Sequence, residues 1–439
     1  MIAAQVPCRP TLQEIVAQFG LEDSAPVFAV GWPESWCTLP SSDLPFLEPQ
    51  FVASACAELE FPEEVRSALG KLTRRVAADP ALRAIAWHGV RSLYGAHAVP
   101  TQMQNWPSLV SALGPEGDLF YMLVALANLP ELGRIYRQRG IPRKVAHDTR
   151  ADVLRWLEAD RAEHGAWGLA PRSLPYVAYT LTGARYHLVR LQFQPGPFRS
   201  RVRVYRHRSG AVLALAEAGV RFRADGQLFG AGGLPAAESD WMAQFEQTDH
   251  LVRGMPILPL GRAVQQPVEL KLEEWQLVLS RGDPVLQIHI PAGRPMDFDL
   301  CGESFREALR FFPTYSPDTP FLAFACSSWL LDNQFEQLLP STSNIVRFMQ
   351  EQYLLPGGSD NRVTLERVFG KVPTELRQAP RDTTLRRAII DHLLIGGHLH
   401  AGASFLLTDD VQWGEQVYRT PSGSRDGSSR GPRQTATLA

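Results

Sequence analysis

The sequence predicts an α+β or α/β protein in two parts: a helical domain over residues 1–165, then a mixed-sheet domain flanked by helices over 166–410. Three observations carry this. Apolar residues recur at helical spacing through the first part. Near Gly165–Pro175 the period shortens to two. Between Val285 and Asn344 lie two short apolar runs, Val285–Ile290 and Phe321–Ala325, each bounded by Pro or Gly and followed by a helical pattern. That is how a strand–helix–strand–helix unit in a mostly buried sheet reads.

The first part gives helices at Thr11–Phe19, Pro62–Ala78, Ala81–Tyr94, Asp118–Asn128 and Asp148–His164. Asp118–Asn128 is almost wholly apolar, as in a helix buried on all sides. Nothing there concentrates titratable groups, so the region reads as a packing or substrate-covering domain. In the second part Tyr186–Phe193 alternates as one strand, and Arg201–Arg206 and Ala211–Leu215 follow as strands. Asp225–Gly226 signals a hairpin between Val220–Phe222 and Gln227–Phe229. The arginines at 199, 201, 203, 206 and 208 read as the solvated face of an edge strand, with a phosphate-binding face as the rival. Gly230–Gly233 reads as a linker, because no Lys-Ser/Thr follows it. Val252–Arg262 reads as an extended crossing segment and Val268–Leu272 as a short strand or the lead-in to a helix. Helices are expected at Leu272–Leu279, Glu303–Phe312, Asn344–Tyr353 and from Thr383 to Leu394. A strand is expected at Val363–Phe369, and Ala403–Leu407 is a final apolar run. Residues 420–439, rich in Ser, Gly, Arg and Pro, read as a disordered tail.

Composition narrows the function classes. The chain has 439 residues, 45% apolar and 21% charged, with a formal charge of −2. That balance gives no argument for nucleic acid or an anionic membrane as partner. No apolar run approaches the roughly 18–20 residues that span a bilayer. The start, MIAAQVPCRPTLQEIV, lacks a signal-peptide pattern, so the expected location is cytoplasmic. Cys8, Cys37, Cys56, Cys301 and Cys326 are odd in number and widely spaced, which argues against a disulfide framework and a structural zinc site. No metal is expected.

The polar residues worth weighing sit at strand ends, where open α/β sheets bind ligands. His289 closes the first run and titrates near neutrality, which suits a general base. Ser327 and Ser328 follow the second run, as substrate contacts, proton donors or caps. Cys326 reads as a small buried residue with nucleophile as the rival. Asp332 reads as a helix cap or an amine ligand, and Asn344 as a cap or a donor to a carbonyl. His392, His398 and His400 are close enough in sequence to raise a metal site, although Gly396–Gly397 between them makes a mobile turn.

Several phrases together resemble a bacterial family of GNAT-like acyltransferases with a helical N-terminal N-acyltransferase domain and a GNAT-like C-terminal domain. They are RLQF at 190–193, Gly254–Ile257, IHIPAG at 288–293, Ser304 with Ala308 and Phe311–Phe312, Cys326–Asp332, Ser343–Ile345 and Thr384–Ile389. The resemblance spans roughly residues 10–410. It implies an enzyme that moves an acyl group from acetyl-CoA or another acyl-CoA to an amine of a small molecule or peptide. On that reading His289, Ser327 and Asp332 are the catalytic candidates. Gly293, Arg294, Arg190 and Gln192 are the candidate acyl-CoA contacts, and Trp329 and Asn344 the candidate substrate contacts. The segment Pro291–Glu303, which corresponds to the family's pyrophosphate loop, holds Gly293, Arg294 and Gly302 beside Asp297, Asp299 and Glu303. It does not carry the usual Gln/Arg-x-x-Gly-x-Gly/Ala pattern. A non-catalytic GNAT-fold binding module is therefore the first alternative, and a metal-dependent hydrolase on the three histidines the second. The sequence does not give the oligomeric state.

Overall fold

The computed structural model describes residues 10–419, so the tail expected at 420–439 and Cys8 lie outside it. Two compact units emerge. The first comprises the described part of Met1–Pro195 with His289–Pro295 and Glu307–Thr319; the second is the remainder from Gly196 onward.

The first unit is a helical bundle built around Leu119–Leu126, a helix in which every residue is buried. An apolar helix has no solvent face, so neighbours must surround it. Glu63–Ala78 and Pro80–Tyr94 are two of them. Asp79 separates the pair: its Oδ1 accepts from the N–H groups of Ala81 (2.8 Å) and Leu82 (3.2 Å), with Pro80 at the first helical position. That is an N-cap plus a residue that needs no donor there. Arg143–His164 starts five residues earlier than its apolar spacing suggests, directly after Pro142.

The unit ends in a hairpin. Tyr186–Phe193 is not one strand: Tyr186–Leu188 pairs antiparallel with Leu191–Pro197, with Tyr186 opposite Phe193 and Leu188 opposite Leu191. Val189 turns the chain at φ 61°. A β-branched residue with positive φ costs on the order of 1–3 kcal/mol and persists only where the surroundings impose it.

The second unit holds two main sets of strands. In one, Pro284–His289 and Ala323–Ser328 run parallel, as the strand–helix–strand reading requires. Gly402–Leu407 and then Tyr353–Pro356 continue it antiparallel. The other is a five-stranded antiparallel sheet in the order Arg262–Ala263, Pro256–Leu258, Val212–Ala216, Val202–His207, Trp275–Ser280. Tyr353 joins the two. Its ring stacks on Phe405 at 4.7 Å, its hydroxyl donates to the Ile257 carbonyl, and it accepts from the Ala214 N–H at 3.1 Å.

Several expectations are corrected. Leu272–Leu279 is not a helix: Trp275–Ser280 is a strand, because WQLVLS pairs with Val202–His207, Trp275 opposite His207. Val363–Phe369 is not a strand but part of the helix Asn361–Phe369, whose Arg362 N–H is capped by Asp360 at 3.0 Å. The Asp225–Gly226 turn forms, yet Arg221–Phe222 pairs with Trp241–Met242, and only Phe222 bridges Leu228 across the turn. Val252–Arg262 is not one crossing segment; it supplies the strands Leu251–Gly254 and Pro256–Leu258. The arginine row lies on an interior strand. Arg206 grips Asp410 at 2.8 and 3.0 Å, Arg203 donates to Gln247 at 3.1 Å, and Arg201 pairs with Glu217 at 3.5 Å.

One buried group in the first unit makes stability depend on pH. His88 is 1% exposed, its Nδ1 2.9 Å from the Ser35 hydroxyl. Burial pulls its pKa from 6.5 down to about 4. The fold therefore favours the neutral ring. This contribution, about 3 kcal/mol, is present in full above pH 6.5 and is lost as pH falls toward 4. Urea unfolding of the wild type should weaken over that interval by about this amount more than in His88→Gln. Parallel curves would contradict the assignment.

Candidate active site

Arg185 precedes the hairpin and is 2% exposed. Its Nε and Nη2 donate to Gln194 Oε1 at 3.2 and 2.9 Å, Nη1 lies 3.5 Å from the Tyr176 carbonyl, and the rings of Tyr176 and Tyr179 flank it at 5.7 and 5.8 Å. All these partners are neutral. The nearby Asp152 carboxylate is turned to Arg155 (3.2 Å) and the Trp156 indole (3.2 Å). Burial accordingly pulls the Arg185 pKa down to about 10, so it is still cationic at neutral pH.

Arg185 Nη2 also lies 3.4 Å from Nε2 of His289. A guanidinium only donates, so the imidazole nitrogen facing it presents a lone pair. His289 is half-buried. A second histidine stands on the hairpin. Nε2 of His187 is 3.2 Å from the Val189 carbonyl, which only accepts; that nitrogen therefore carries the hydrogen. Its Nδ1 is buried with no hydrogen-bond partner among the described residues. Burial, then the charge of Arg155, lowers the His187 pKa and keeps the ring neutral.

Arg190, 4% exposed, reaches across to the loop after His289: Nε donates to the Pro295 carbonyl at 3.0 Å and Nη2 to the Arg294 carbonyl at 2.7 Å. This clamp fixes Gly293 at φ 94° and leaves the Arg294 side chain exposed. Gln192 is buried opposite His187. Five sequence candidates thus fall in the first unit, with Arg190 gripping the loop that carries Gly293 and Arg294, and His289 held by Arg185. Sequence reasoning passed over Arg185 and gave His187 no role. Each looked like one polar residue beside an alternating strand, and nothing local announces burial.

The other candidates belong to the second unit. Ser327 is exposed on its strand, opposite Ala403. Ser328 caps the turn that follows, accepting from the Leu330 N–H at 3.2 Å. Trp329 is half-buried, edge-on to Phe335 at 6.3 Å. Asn344 opens the helix Asn344–Gln350, whose N-cap is Ser343. Asp332 is fully buried: it accepts from the Gln334 N–H (3.0 Å) and side-chain amide (3.1 Å) and from the His400 N–H (2.9 Å), and it lies 3.3 Å from the His400 ring. Cys326 is buried 3.7 Å from the Ile288 carbonyl, and burial pushes its thiol up to about 12, which suits an inert apolar residue rather than a thiolate. His392 Nε2 faces the His398 carbonyl at 3.3 Å, and His400 Nδ1 faces the Ala401 carbonyl at 2.8 Å. Among the described residues no three His, Cys, Asp or Glu side chains gather as a metal-ligand set. At the head of the helix Phe298–Tyr315, Asp297 accepts from the Leu300 N–H at 2.9 Å, so a carboxylate already sits where a phosphate would.

The bonding of Asp332 predicts a mainly structural effect of its removal. Asp332→Ala leaves several buried donors unmet and should lower the unfolding free energy by about 3–5 kcal/mol. Asp332→Asn, which keeps an accepting oxygen, should lose less. Equal loss in denaturant unfolding would contradict the bonding described.

Comparison with known proteins supplies the context for this geometry. Residues 186–406 match the family model of the GNAT-like C-terminal domain, and residues 50–172 that of the N-acyltransferase N-terminal domain. No curated protein sequence matches the chain. Similar solved structures include an acyltransferase mutant in complex with octanoyl-CoA, 21% identical, covering 90% of this chain and 99% of that one with a TM-score of 0.62. Another is an acyltransferase in complex with decanoyl-CoA and teicoplanin, 21% identical, covering 91% of this chain and 100% of that one at a TM-score of 0.59. A third, in complex with CoA and 10C-Teicoplanin, has the same identity and coverage at 0.60. These likenesses show a shared fold over nearly the whole length. With a helical N-terminal region, a mixed-sheet region after it and both family models matched in that order, the chain belongs to the GNAT-like N-acyltransferase family.

Proposed function

We propose that the chain transfers an acyl group from an acyl-CoA to the amine of a small molecule or peptide, in the cytoplasm. The family supports the reaction class. Solved structures of the same fold hold octanoyl-CoA, decanoyl-CoA with teicoplanin, and CoA with 10C-Teicoplanin. The observation that carries the reading is the buried Arg185 guanidinium facing a lone pair of His289.

Acyl transfer from a thioester needs three things. The amine must be unprotonated, the carbonyl oxygen must find positive charge as it becomes an oxyanion, and the leaving thiolate must be tolerated. In the proposed step the amine nitrogen bonds to the thioester carbon, the C–S bond breaks with its electron pair going to sulfur, and His289, its Nε2 lone pair released from the long contact to Arg185, takes the amine proton and returns it to the thiolate. Among the described residues Arg185 makes no ion pair, Asp152 acting on it only from a distance, and it sits in a low dielectric, where its charge acts strongly on developing negative charge. Arg190 and Gln192 are assigned to holding the loop at Gly293, and the exposed Arg294 to the phosphates of CoA. Ser327, Trp329 and Asn344 are kept as substrate contacts and Asp332 as a positioning residue for the His400 segment.

His289→Ala is expected to fold and to lose amine-dependent CoA release by about 10²–10⁴-fold. A second reading rests on the unpartnered Nδ1 of His187: if His289→Ala works at the wild-type rate while His187→Ala does not, the base is His187. Acetyl-CoA and longer acyl-CoAs should raise Tm, by about 2.7 kcal/mol of stability at a hundredfold excess over Kd. No shift at millimolar acyl-CoA would favour the non-catalytic binding module, for which the Asp297 cap is the supporting observation.

A further inference from the structure

The first unit contains a cavity of about 670 Å³ that the acyl-transfer reading does not use, lined among others by Trp106, Trp167, Asp118, Asp160, His164 and Arg172. Its volume is within the range of small-molecule sites. It lies where the end of the helix Arg143–His164 meets the segment that folds back after Gly165, opposite Ser108–Leu109.

The cavity is built around two aspartates with different duties. Asp118 pins the near wall: its Oδ2 accepts from the Ser108 hydroxyl at 2.8 Å and its Oδ1 from the Leu109 N–H at 2.7 Å. Asp160 pins the far wall with one oxygen only. Its Oδ1 accepts from the Ala170 N–H at 3.1 Å and lies 3.2 Å from His164 Nδ1. Among the described residues Oδ2 accepts no hydrogen bond from the protein, and the side chain is 7% exposed. Oδ2 lies close to Gly168, where a Cβ would come within 2.7 Å of it, so glycine permits this approach of the backbone to the carboxylate. Burial, with Asp118 adding to it, raises the Asp160 pKa. Arg172 is engaged by Glu163, and Arg161 lies over the Trp167 ring at 4.4 Å. Two of the lining residues, Asp118 and Asp160, are carboxylates, and the one lining guanidinium, Arg172, is already held by Glu163. The indole N–H of Trp167 is buried without an acceptor.

We propose that this cavity binds a small organic cation: an ammonium seated on Asp160 Oδ2, carried by an aromatic body between Trp106 and Trp167. A carboxylate oxygen without a protein donor accepts a charge-assisted hydrogen bond, and the indoles that line the cavity attract an adjacent positive charge. A hydrogen-bond acceptor on the ligand body meets the Trp167 N–H. An ammonium held this way stays protonated and cannot attack a thioester, so this is a recognition site separate from the acylated amine. It stands whether or not the chain transfers acyl groups.

Tyramine, with an ammonium and a phenol oxygen, is the probe; tyrosol, which replaces the ammonium by a hydroxyl, is its neutral counterpart. Both are titrated into the full chain without acyl-CoA, by calorimetry and by following the indole N–H resonance that disappears in Trp167→Phe. Tyramine should bind at millimolar concentration or below and shift that resonance, with tyrosol at least about tenfold weaker. Asp160→Asn keeps an oxygen for the Ala170 N–H but sets an amide donor at the Oδ2 position, and should lose tyramine binding by a similar factor. Equal binding of tyramine and tyrosol, no binding of either, an unshifted Trp167 resonance, or a folded Asp160→Asn that binds as the wild type would each overturn the proposal. The tyramine–tyrosol comparison uses the unaltered chain, so it decides even if Asp160→Asn fails to fold.

Discussion

Arg185 is the constraint around which the rest of the first unit's polar interior is arranged. Taking a guanidinium out of water costs several kcal/mol unless its donors are met. Here they are met by an amide, a carbonyl and an imidazole, none of them charged. The geometry that satisfies Arg185 also fixes His289, because a ring nitrogen facing a guanidinium must offer its lone pair. The following residues extend the same arrangement. The hairpin turns on a left-handed Val189, whose carbonyl sets the tautomer of His187, and Arg190 ties the loop after His289 to the turn. A strained turn that fixes two histidines and a loop is the kind of local cost that persists where a site must be preorganised.

The second unit solves a different problem, that of joining two sets of strands without stranding a polar group between them. Tyr353 does so with one side chain. Its ring fills the core against Phe405, and its hydroxyl both donates to Ile257 and accepts from Ala214. Asp332 plays a comparable part, gathering the amides of Gln334 and His400 around a buried carboxylate. This explains why an aspartate after an apolar phrase can look like a ligand in sequence and act as a knot in the fold.

What the sequence made legible follows from locality. Val285–Ile290 and Phe321–Ala325 were readable as buried strands because each is short, apolar and bounded by Pro or Gly, and the helix between them has its own periodicity. Val363–Phe369 misled because an alternating run hides a helix whose signals, Asp360 before and Gly370 after, lie outside it. Trp275–Ser280 became a strand through a partner some seventy residues earlier, which no local window contains. His289 could be singled out by its place at a strand end. Arg185 could not, since its importance comes from burial and from His289, a partner 104 residues away in sequence. The turn at Val189 was invisible for a related reason: it uses none of the Gly, Asn or Asp residues that announce positive φ.

The central claim is that this chain moves acyl groups from CoA to an amine. The most direct measurement incubates the purified chain with octanoyl-CoA and a panel of small-molecule and peptide amines, and follows free thiol and product mass together. The account predicts thiol release that depends on the amine and matches amide formed one for one. Release that is the same with and without amine, or no release with any acyl-CoA, would contradict it.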